Sequence, residues 1–193
     1  MSPCIVGSNT SRRWWLTRPG RPGTPLAAAG PARHTVGGRW FVDETYVKVA
    51  GVWRYVYRAV DQGGQVIDVC VSARRDIAAA RRFFTAALGA HAEPGEVVTD
   101  RAPALAHGIA DLLPVAFHNT DRYANNSIEC DHGRLKARLR PMRGLKTVPT
   151  ARVIIRGHAF MENLRRGHYQ LGVEAQTRHL RIAAAFDELA EAI

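Results

Sequence analysis

Apolar positions between residues 39 and 72 fall into three short blocks that are rich in β-branched and aromatic side chains. The blocks are RWFVDETYVKV, VWRYVYRAV and QVIDVCVS. Only Ala-Gly at 50 and 51 and Asp-Gln-Gly-Gly at 61 to 64 separate them, and connections of this length join neighbouring strands as hairpins. The pattern therefore predicts an antiparallel three-stranded meander.

Downstream of residue 76 the apolar spacing alternates between helical and strand-like. Asp76 can cap a helix that carries Ile77, Ala80 and Phe84 on one face. The next segments are predicted to be the strand EVVTD, a helix between 103 and 113, the strand PVAFH, and helices at about 127–140 and 150–166. Three antiparallel strands followed by alternating helices and strands is the order of an RNase H-like α/β domain. We therefore expect a mixed five-stranded sheet with helices on both faces.

Composition divides the chain near residue 34. Residues 1–33 hold five of the ten prolines, four glycines, five arginines and no acidic residue, and they show no helical or alternating apolar period. This composition predicts a disordered basic tail. Residues 34–172 are predicted to form the folded core, and 173–193 a C-terminal amphipathic helix with an apolar stripe of Ile182, Phe186, Leu189 and Ile193.

The charge balance points to an acidic polymer as the partner. The 193 residues carry a formal net charge of +10 with 46% apolar residues, so the chain can bury a core and still present a basic surface. A generically basic protein is the alternative from composition alone. No apolar run approaches the roughly 18 residues that span a bilayer, and the first residues are too short and uncharged for a signal sequence. We therefore expect a cytoplasmic protein without membrane association.

Three acidic residues occupy unusual settings. Asp43 interrupts the first predicted strand, Asp100 ends EVVTD, and Glu129 opens a strongly basic predicted helix. An ionised carboxylate beside a half-buried strand loses hydration, and hydrogen bonds, a countercharge or a metal ion must compensate. Carboxylate oxygens favour Mg²⁺ or Mn²⁺, and two such ions can serve the attacking and leaving oxygens of a phosphodiester. The three acids are therefore candidate ligands of two divalent ions.

Each acid also has an ordinary structural interpretation. Glu44 could be the functional acid in place of its neighbour Asp43. Asp100 could cap the helix that begins near residue 102, a role that aspartate fills well. Asn126 followed three residues later by Glu129 is close to a capping box, in which the glutamate bonds back to the backbone of the cap. From the residues alone these alternatives stay open.

A run of basic residues follows Glu129. Glu129 and Lys136 are seven positions apart, almost two helical turns, so they share a face of the predicted helix. Leu135 and Leu139 are left to face the core. A solvated charged face is one interpretation of such a run, and a surface that follows the phosphates of a nucleic acid is the other. The basic residues between 134 and 146 are Arg134, Lys136, Arg138, Arg140, Arg143 and Lys146.

Several long motifs together resemble the transposases of bacterial insertion-sequence family six, within the DDE transposase and retroviral-integrase superfamily. They are RWFVDETYVKVAG, YRAVDQGGQVIDV, SARRDIAAARRFF, VVTDRAP, YANNSIECDHGRLKARLRPMRGLKT and GHAFMENLRRGHYQLG, and they span roughly residues 34 to 174. The resemblance implies a catalytic triad of Asp43, Asp100 and Glu129, with Lys136 as the family's basic residue seven positions after the glutamate. It also implies an enzyme that uses two Mg²⁺ or Mn²⁺ ions to cleave the ends of a mobile element and transfer them into target DNA.

The N-terminal segment departs from the family pattern. Family members usually begin with a helix-turn-helix-like region that recognises the terminal inverted repeats, and the five prolines of residues 1–33 argue against two packed helices there. We therefore expect a copy that keeps the catalytic core without this specificity module. One candidate function is an active transposase that assembles on DNA as a homodimer or higher synaptic complex. The other candidates are an inactive DNA-binding remnant that interferes with a full-length transposase, and a nuclease or resolvase of the same fold.

Overall fold

A mixed sheet of five strands organises the computed structural model, which describes residues 36–121, 123–175 and 177–191. The strands are β1 Arg39–Val49, β2 Val52–Asp61, β3 Val66–Ser72, β4 Glu96–Thr99 and β5 Phe117–Asn119, in the spatial order β3-β2-β1-β4-β5. Strand β1 lies at the centre because it pairs antiparallel with β2 and parallel with β4. The predicted meander and the mixed five-stranded sheet are confirmed, whereas the predicted disordered tail lies outside the described residues.

Helices cover both faces of this sheet, as predicted. They are α1 Ile77–Leu88, α2 Pro103–Leu112, α3 Asn126–Leu139, α4 Val148–Arg166 and α5 Arg181–Glu191. Successive residues of β1 point to opposite faces. Trp40 packs with Phe84 under α1 and α2, while Phe41 packs with Ile128 and Ile155 under α3 and α4. Within the described ranges, none of the helices is both long and apolar enough to cross a membrane.

The turn between β1 and β2 is as tight as the sequence predicts. Ala50 and Gly51 both have positive φ, 49° and 81°, which is the backbone of a two-residue turn with the same twist as the strands it joins. Val49 pairs directly with Val52 across the turn. The two strands therefore stay paired to their last residues, and the turn fixes the register of β1 against β2.

The side-chain amide of Asn163 in α4 closes the start of the edge strand β3. Its oxygen accepts a hydrogen bond from the Val66 N–H at 2.7 Å, and its nitrogen donates one to the Val66 carbonyl at 2.9 Å. An amide can replace a neighbouring strand in this way because it presents a donor and an acceptor side by side. All seven residues of β3 are buried.

The buried face of α1 differs from the predicted stripe. Ile77 is exposed, whereas Ala79 and Phe83 are buried together with Ala80 and Phe84. The helix packs against the sheet and also against α2, so its buried arc is wider than a single stripe. The predicted single stripe is therefore wrong for α1, because it assumes that the helix packs against one element only.

The C-terminal helix is shorter than predicted. It begins at Arg181 rather than at 173. The chain turns at Gly172, which has a φ of +66° and leaves no room for a Cβ beside the Arg181 carbonyl. Ala185 and Leu189 pack against α4 and its C-terminal turn, but Phe186 is half exposed. The last stripe position, 193, lies outside the described residues.

A buried ion-pair network joins β2, α3 and α4. Arg58 of β2 is fully buried and pairs with Asp131 of α3. Arg166 of α4 also donates to Asp131 at 2.8 Å and to Glu162, one turn earlier in α4, at 3.1 Å. Burial acts to raise the pKa of Asp131, but Arg58 and Arg166 outweigh burial, so the pKa of Asp131 lies below its ordinary value. The network therefore depends on Asp131 being ionised.

We expect Asp131→Asn to destabilise the fold more than Arg58→Met does. Loss of the Asp131 charge leaves the Arg58 guanidinium buried without its carboxylate, and breaking a buried pair in this way costs about 3–5 kcal/mol. Loss of Arg58 leaves Asp131 paired with Arg166, so the cost is smaller. Urea unfolding of the two variants at neutral pH measures the difference, and the opposite order would contradict the network.

The advantage of the wild type over Asp131→Asn should also depend on pH in one direction. Because the pKa of Asp131 is lower in the folded state, its stabilising contribution is complete above the unfolded pKa of about 3.9. The contribution is lost as pH falls through the folded pKa. The difference in free energy of unfolding between the two proteins should therefore shrink on acidification, as repeated unfolding curves would show.

Candidate active site

The register between β1 and β4 brings two of the predicted acids together. The parallel pairing ends with Val42 opposite Thr99, so the next residues of the two chains, Asp43 and Asp100, are neighbours where β4 stops. One carboxylate oxygen from each, together with one from Glu44, lies within 4.8 Å of the others. Carboxylates this close repel one another unless a cation or a proton is shared among them.

Asp43 lies at the centre of the cluster. Its side chain is 17% exposed and lies 3.5 Å from His132 of α3, measured from Oδ2 to Nδ1. Its other oxygen accepts a hydrogen bond from the Glu44 N–H at 2.8 Å. Burial, followed by the charges of Asp100, Glu44 and Glu129, raises the pKa of Asp43 to about 7. Burial and the neighbouring carboxylates therefore both disfavour the charged form of Asp43.

Asp100 combines a structural contact with an open position. Its Oδ1 accepts a hydrogen bond from the Ala102 N–H at 3.0 Å, close to the start of α2. The predicted capping alternative is thus present in part, although Ala102 is the residue at the N-cap position of α2. The second oxygen of Asp100 lies 4.0 Å from Arg75 and the side chain is about half exposed. One oxygen holds the loop while the other faces the cluster.

Glu129 lies in the first turn of α3 and is exposed. The capping-box alternative is wrong for this helix, because Asn126 is its first helical residue and Asn125 occupies the N-cap position. The Asn125 amide donates instead to the Val42 carbonyl at 3.2 Å. This bond ties the start of α3 to β1 one residue before Asp43. Glu129 is near enough to raise the pKa of Asp43.

Glu44 and Arg75 form an ion pair next to the cluster that the sequence does not predict. Glu44 is buried and its carboxylate pairs with Arg75, which lies between β3 and α1. Burial raises the pKa of Glu44 even though the charge of Arg75 acts to lower it. Arg75 thus neutralises Glu44 and also approaches Asp100. No local signal in the sequence marks Arg75, because its contact depends on how the loop before α1 folds back onto β1.

His132 was also missed, although a signal for it exists. It follows Glu129 by three positions, and this spacing puts both residues on one face of a helix. His132 is buried, and burial, followed by the charge of Arg58, lowers its pKa to about 4. At neutral pH the imidazole that contacts Asp43 is therefore uncharged.

The predicted basic run lies on the surface of α3 and of the turn after it. Leu135 is fully buried, as predicted, and Leu139 packs at the edge of the same core. Lys136 extends its ammonium to 5.1 Å from the ring centroid of Tyr46 in β1. The basic side chains are all exposed, namely Arg134, Lys136, Arg138, Arg140, Arg143 and Lys146.

Solved structures of retroviral integrases resemble this fold. The catalytic core domain of HTLV-2 integrase in complex with magnesium aligns with a TM-score of 0.54 at 18% identity, over 78% of this chain and 97% of that one. The simian T-cell lymphotropic virus intasome in complex with a PP2A regulatory subunit contains a chain that aligns with a TM-score of 0.53 at 19% identity, over 84% of this chain and 59% of that one. At such identities the likeness shows the RNase H-like fold alone.

Sequence comparison assigns the chain to a family. A family model described as "DDE domain" matches residues 37–168. The transposases of insertion sequence-like element IS431mec and of insertion sequence element IS257 in transposon Tn4003, both from Staphylococcus aureus, are 37% identical over 106 residues. The match covers 52% of this chain and 47% of each relative, so the chain spans about half the length of these relatives. The chain belongs to the DDE-domain family.

Proposed function

We propose that this chain cleaves DNA strands at the ends of a mobile element and transfers them into target DNA, with the aid of divalent metal ions. The observation that carries the proposal is the cluster of carboxylates where β4 ends beside β1, in a chain that belongs to the DDE-domain family. Asp43, Asp100 and Glu129 are the proposed catalytic residues. Asp43 and Asp100 lie in the cluster and the charge of Glu129 reaches Asp43, which favours an active enzyme over an inactive DNA-binding remnant.

The donor set fits Mg²⁺ or Mn²⁺. It consists of carboxylate oxygens, which these ions prefer. Burial first, and the neighbouring carboxylates Asp100 and Glu44 second, raise the pKa of Asp43, and a bound cation would offset both effects. Asp43, Asp100 and Glu129 would hold two such ions. When bound, the ions would supply the positive charge that phosphodiester transesterification requires. A magnesium complex of the HTLV-2 integrase core is consistent with this choice.

The protein's own part is to hold the three carboxylates in place before DNA arrives. The Glu44 N–H fixes one oxygen of Asp43, the Ala102 N–H fixes one oxygen of Asp100, and the Asn125 amide holds the helix that carries Glu129. Each anchor is a backbone contact or a contact to backbone. Such preorganisation lowers the cost of aligning the reacting groups.

The basic surface of α3 is proposed to hold the DNA backbone beside these carboxylates. Lys136 shares its helix with Glu129, and the exposed arginines on either side extend the positive surface. Contacts from such residues to phosphates position a strand without reading its sequence. A multimer on paired element ends completes the proposal. HTLV-2 integrase cores in trimeric and dimeric forms lend it support.

Removing any one acid of the proposed triad should abolish DNA joining. Asp43→Asn, Asp100→Asn and Glu129→Gln keep the size of each side chain but remove a charged ligand, so Mg²⁺-dependent transfer of precut ends should fall to background. Nonspecific DNA binding should persist, because the basic surface is intact. Asp111→Asn, in the exposed ion pair between α1 and α2, is the matched control. Full joining activity in any triad variant would remove that residue from the site.

Magnesium should stabilise the wild-type protein more than the Asp43→Asn variant. Because the pKa of Asp43 is raised to about 7, ionising it destabilises the metal-free fold as pH rises from the unfolded pKa of about 3.9 through that value. At about pH 8, added Mg²⁺ relieves this repulsion, and the melting temperature should rise. In EDTA at the same pH, Asp43→Asn should melt above the wild type. Equal Mg²⁺ responses in calorimetry would contradict a metal site at Asp43.

Lys136→Ala should weaken DNA binding and joining together. One lost phosphate contact makes the dependence of log affinity on log salt concentration shallower by about one unit. Titrations by fluorescence anisotropy at several salt concentrations measure this slope. Arg81→Ala is the control, because Arg81 lies on α1, across the sheet from α3, and its charge is paired with Asp111. An unchanged slope and unchanged joining would leave the basic run as a solvated surface.

A further inference from the structure

Two aromatic side chains stand exposed on the hairpin that follows Asp43 along β1. Tyr46 of β1 and Trp53 of β2 are 56% and 53% exposed, and their rings meet edge to face with centroids 5.1 Å apart. They lie on the β1–β2 hairpin, beyond the point at which β4 ends. Neither side chain belongs to the buried cores of the sheet. Their contact supports the hairpin, while about half of each side chain remains exposed.

Two lysines flank this aromatic pair. The ammonium of Lys48 lies 5.6 Å from the ring centroid of Trp53, and that of Lys136 lies 5.1 Å from the ring centroid of Tyr46. Lys136 comes from α3, the helix that carries Glu129, and so it connects the aromatic pair to the carboxylate cluster. Aromatic faces next to ammonium groups form a surface that can contact bases and phosphates at once.

We propose that Tyr46 and Trp53 form a stacking site for unpaired bases of the DNA strand next to the reacting phosphodiester. The location beside the reacting group rests on the proposed function. Bases inside a duplex already stack on their neighbours, so an exposed ring offers most to a base that is unpaired. Lys48 and Lys136 then meet the phosphates on either side of that base. Stacking tolerates any base, so the site would fix the path of the strand rather than its sequence.

The positive charge around Tyr46 and Trp53 favours a nucleic acid, rather than a second copy of this chain, as the molecule that binds there. Aromatic surfaces are also common where proteins associate. A contact between two copies through the same surface would bring Lys48 and Lys136 of one molecule against those of the other, in a chain of net charge +10. Like charges facing each other oppose such a contact. A polyanion instead complements every charge on the surface.

The test compares two DNAs that differ only in an unpaired extension of about six nucleotides. Wild-type protein, in EDTA to prevent cleavage, should bind the extended duplex more tightly than the blunt one. Trp53→Ala should weaken binding to the extended duplex by about fivefold to a hundredfold, as loss of one stacking contact does, with little effect on the blunt duplex. Trp53→Phe should restore part of the preference, because it returns a stacking ring.

Phe117→Ala provides the matched control. Phe117 is 66% exposed and begins β5 at the opposite end of the parallel strands from Asp43 and Asp100, so its removal should leave the preference for the extension intact. Circular dichroism and melting curves confirm that each variant is folded. A preference that survives both Trp53→Ala and Tyr46→Ala would overturn the proposal. So would a loss of self-association in Trp53→Ala, seen by sedimentation, with an unchanged preference.

The experiments can disprove the stacking site and the proposed catalytic function independently of each other. Asp43→Asn should lose joining but keep the preference for the extended duplex, because the aromatic pair is intact. Trp53→Ala should lose the preference and join extended ends more slowly. If Trp53→Ala loses the preference while the triad variants still join DNA, the stacking site is supported and the proposed catalytic residues are wrong.

Discussion

The parallel pairing of β1 with β4 is the constraint on which the site depends. It ends at Val42 and Thr99, so Asp43 and Asp100 meet where the shorter strand stops. A slip of one residue would turn Asp43 away from α3 and separate it from Glu129. The same slip would exchange the side chains that β1 packs into the two cores, such as Trp40 and Phe41, and so disrupt both. The register that forms the core therefore also assembles the carboxylates.

Two arginines lie close to Asp43 and Asp100, but each forms an ion pair with a different acid. Arg58 stands opposite Asp43 in the pairing of β1 with β2, but its guanidinium pairs with Asp131. Arg75 approaches the cluster from the other face of the sheet, but it pairs with Glu44. A strongly basic protein thus keeps a local excess of negative charge at one point. Such a charge distribution favours cations at the cluster and anions at the surface around it.

The sequence predicts the features that depend on residues close together in the chain. It does not predict contacts between elements that are far apart in the chain. Strands and hairpins follow from β-branched blocks and from turns such as Ala50 and Gly51, which act over a few residues. The meeting of Asp43 and Asp100 was also predictable, because each lies in or ends an apolar strand segment. The contact of Arg75 with the cluster was not, since it depends on a loop folding back across the sheet. The buried face of α1 and the start of α5 were also not predicted, because both depend on contacts with distant parts of the chain.

The hydrogen bonds between the Asn163 side-chain amide and the backbone of Val66 limit how copies of this chain can associate. An open sheet edge presents unpaired N–H and C=O groups that invite a strand from another molecule. In the described sheet, one edge strand is sealed at Val66 and buried along its length, and the other, β5, has only three residues. Continuous sheets across molecules are therefore disfavoured. Copies of this chain at high local concentration are protected in this way from polymerising through the start of β3.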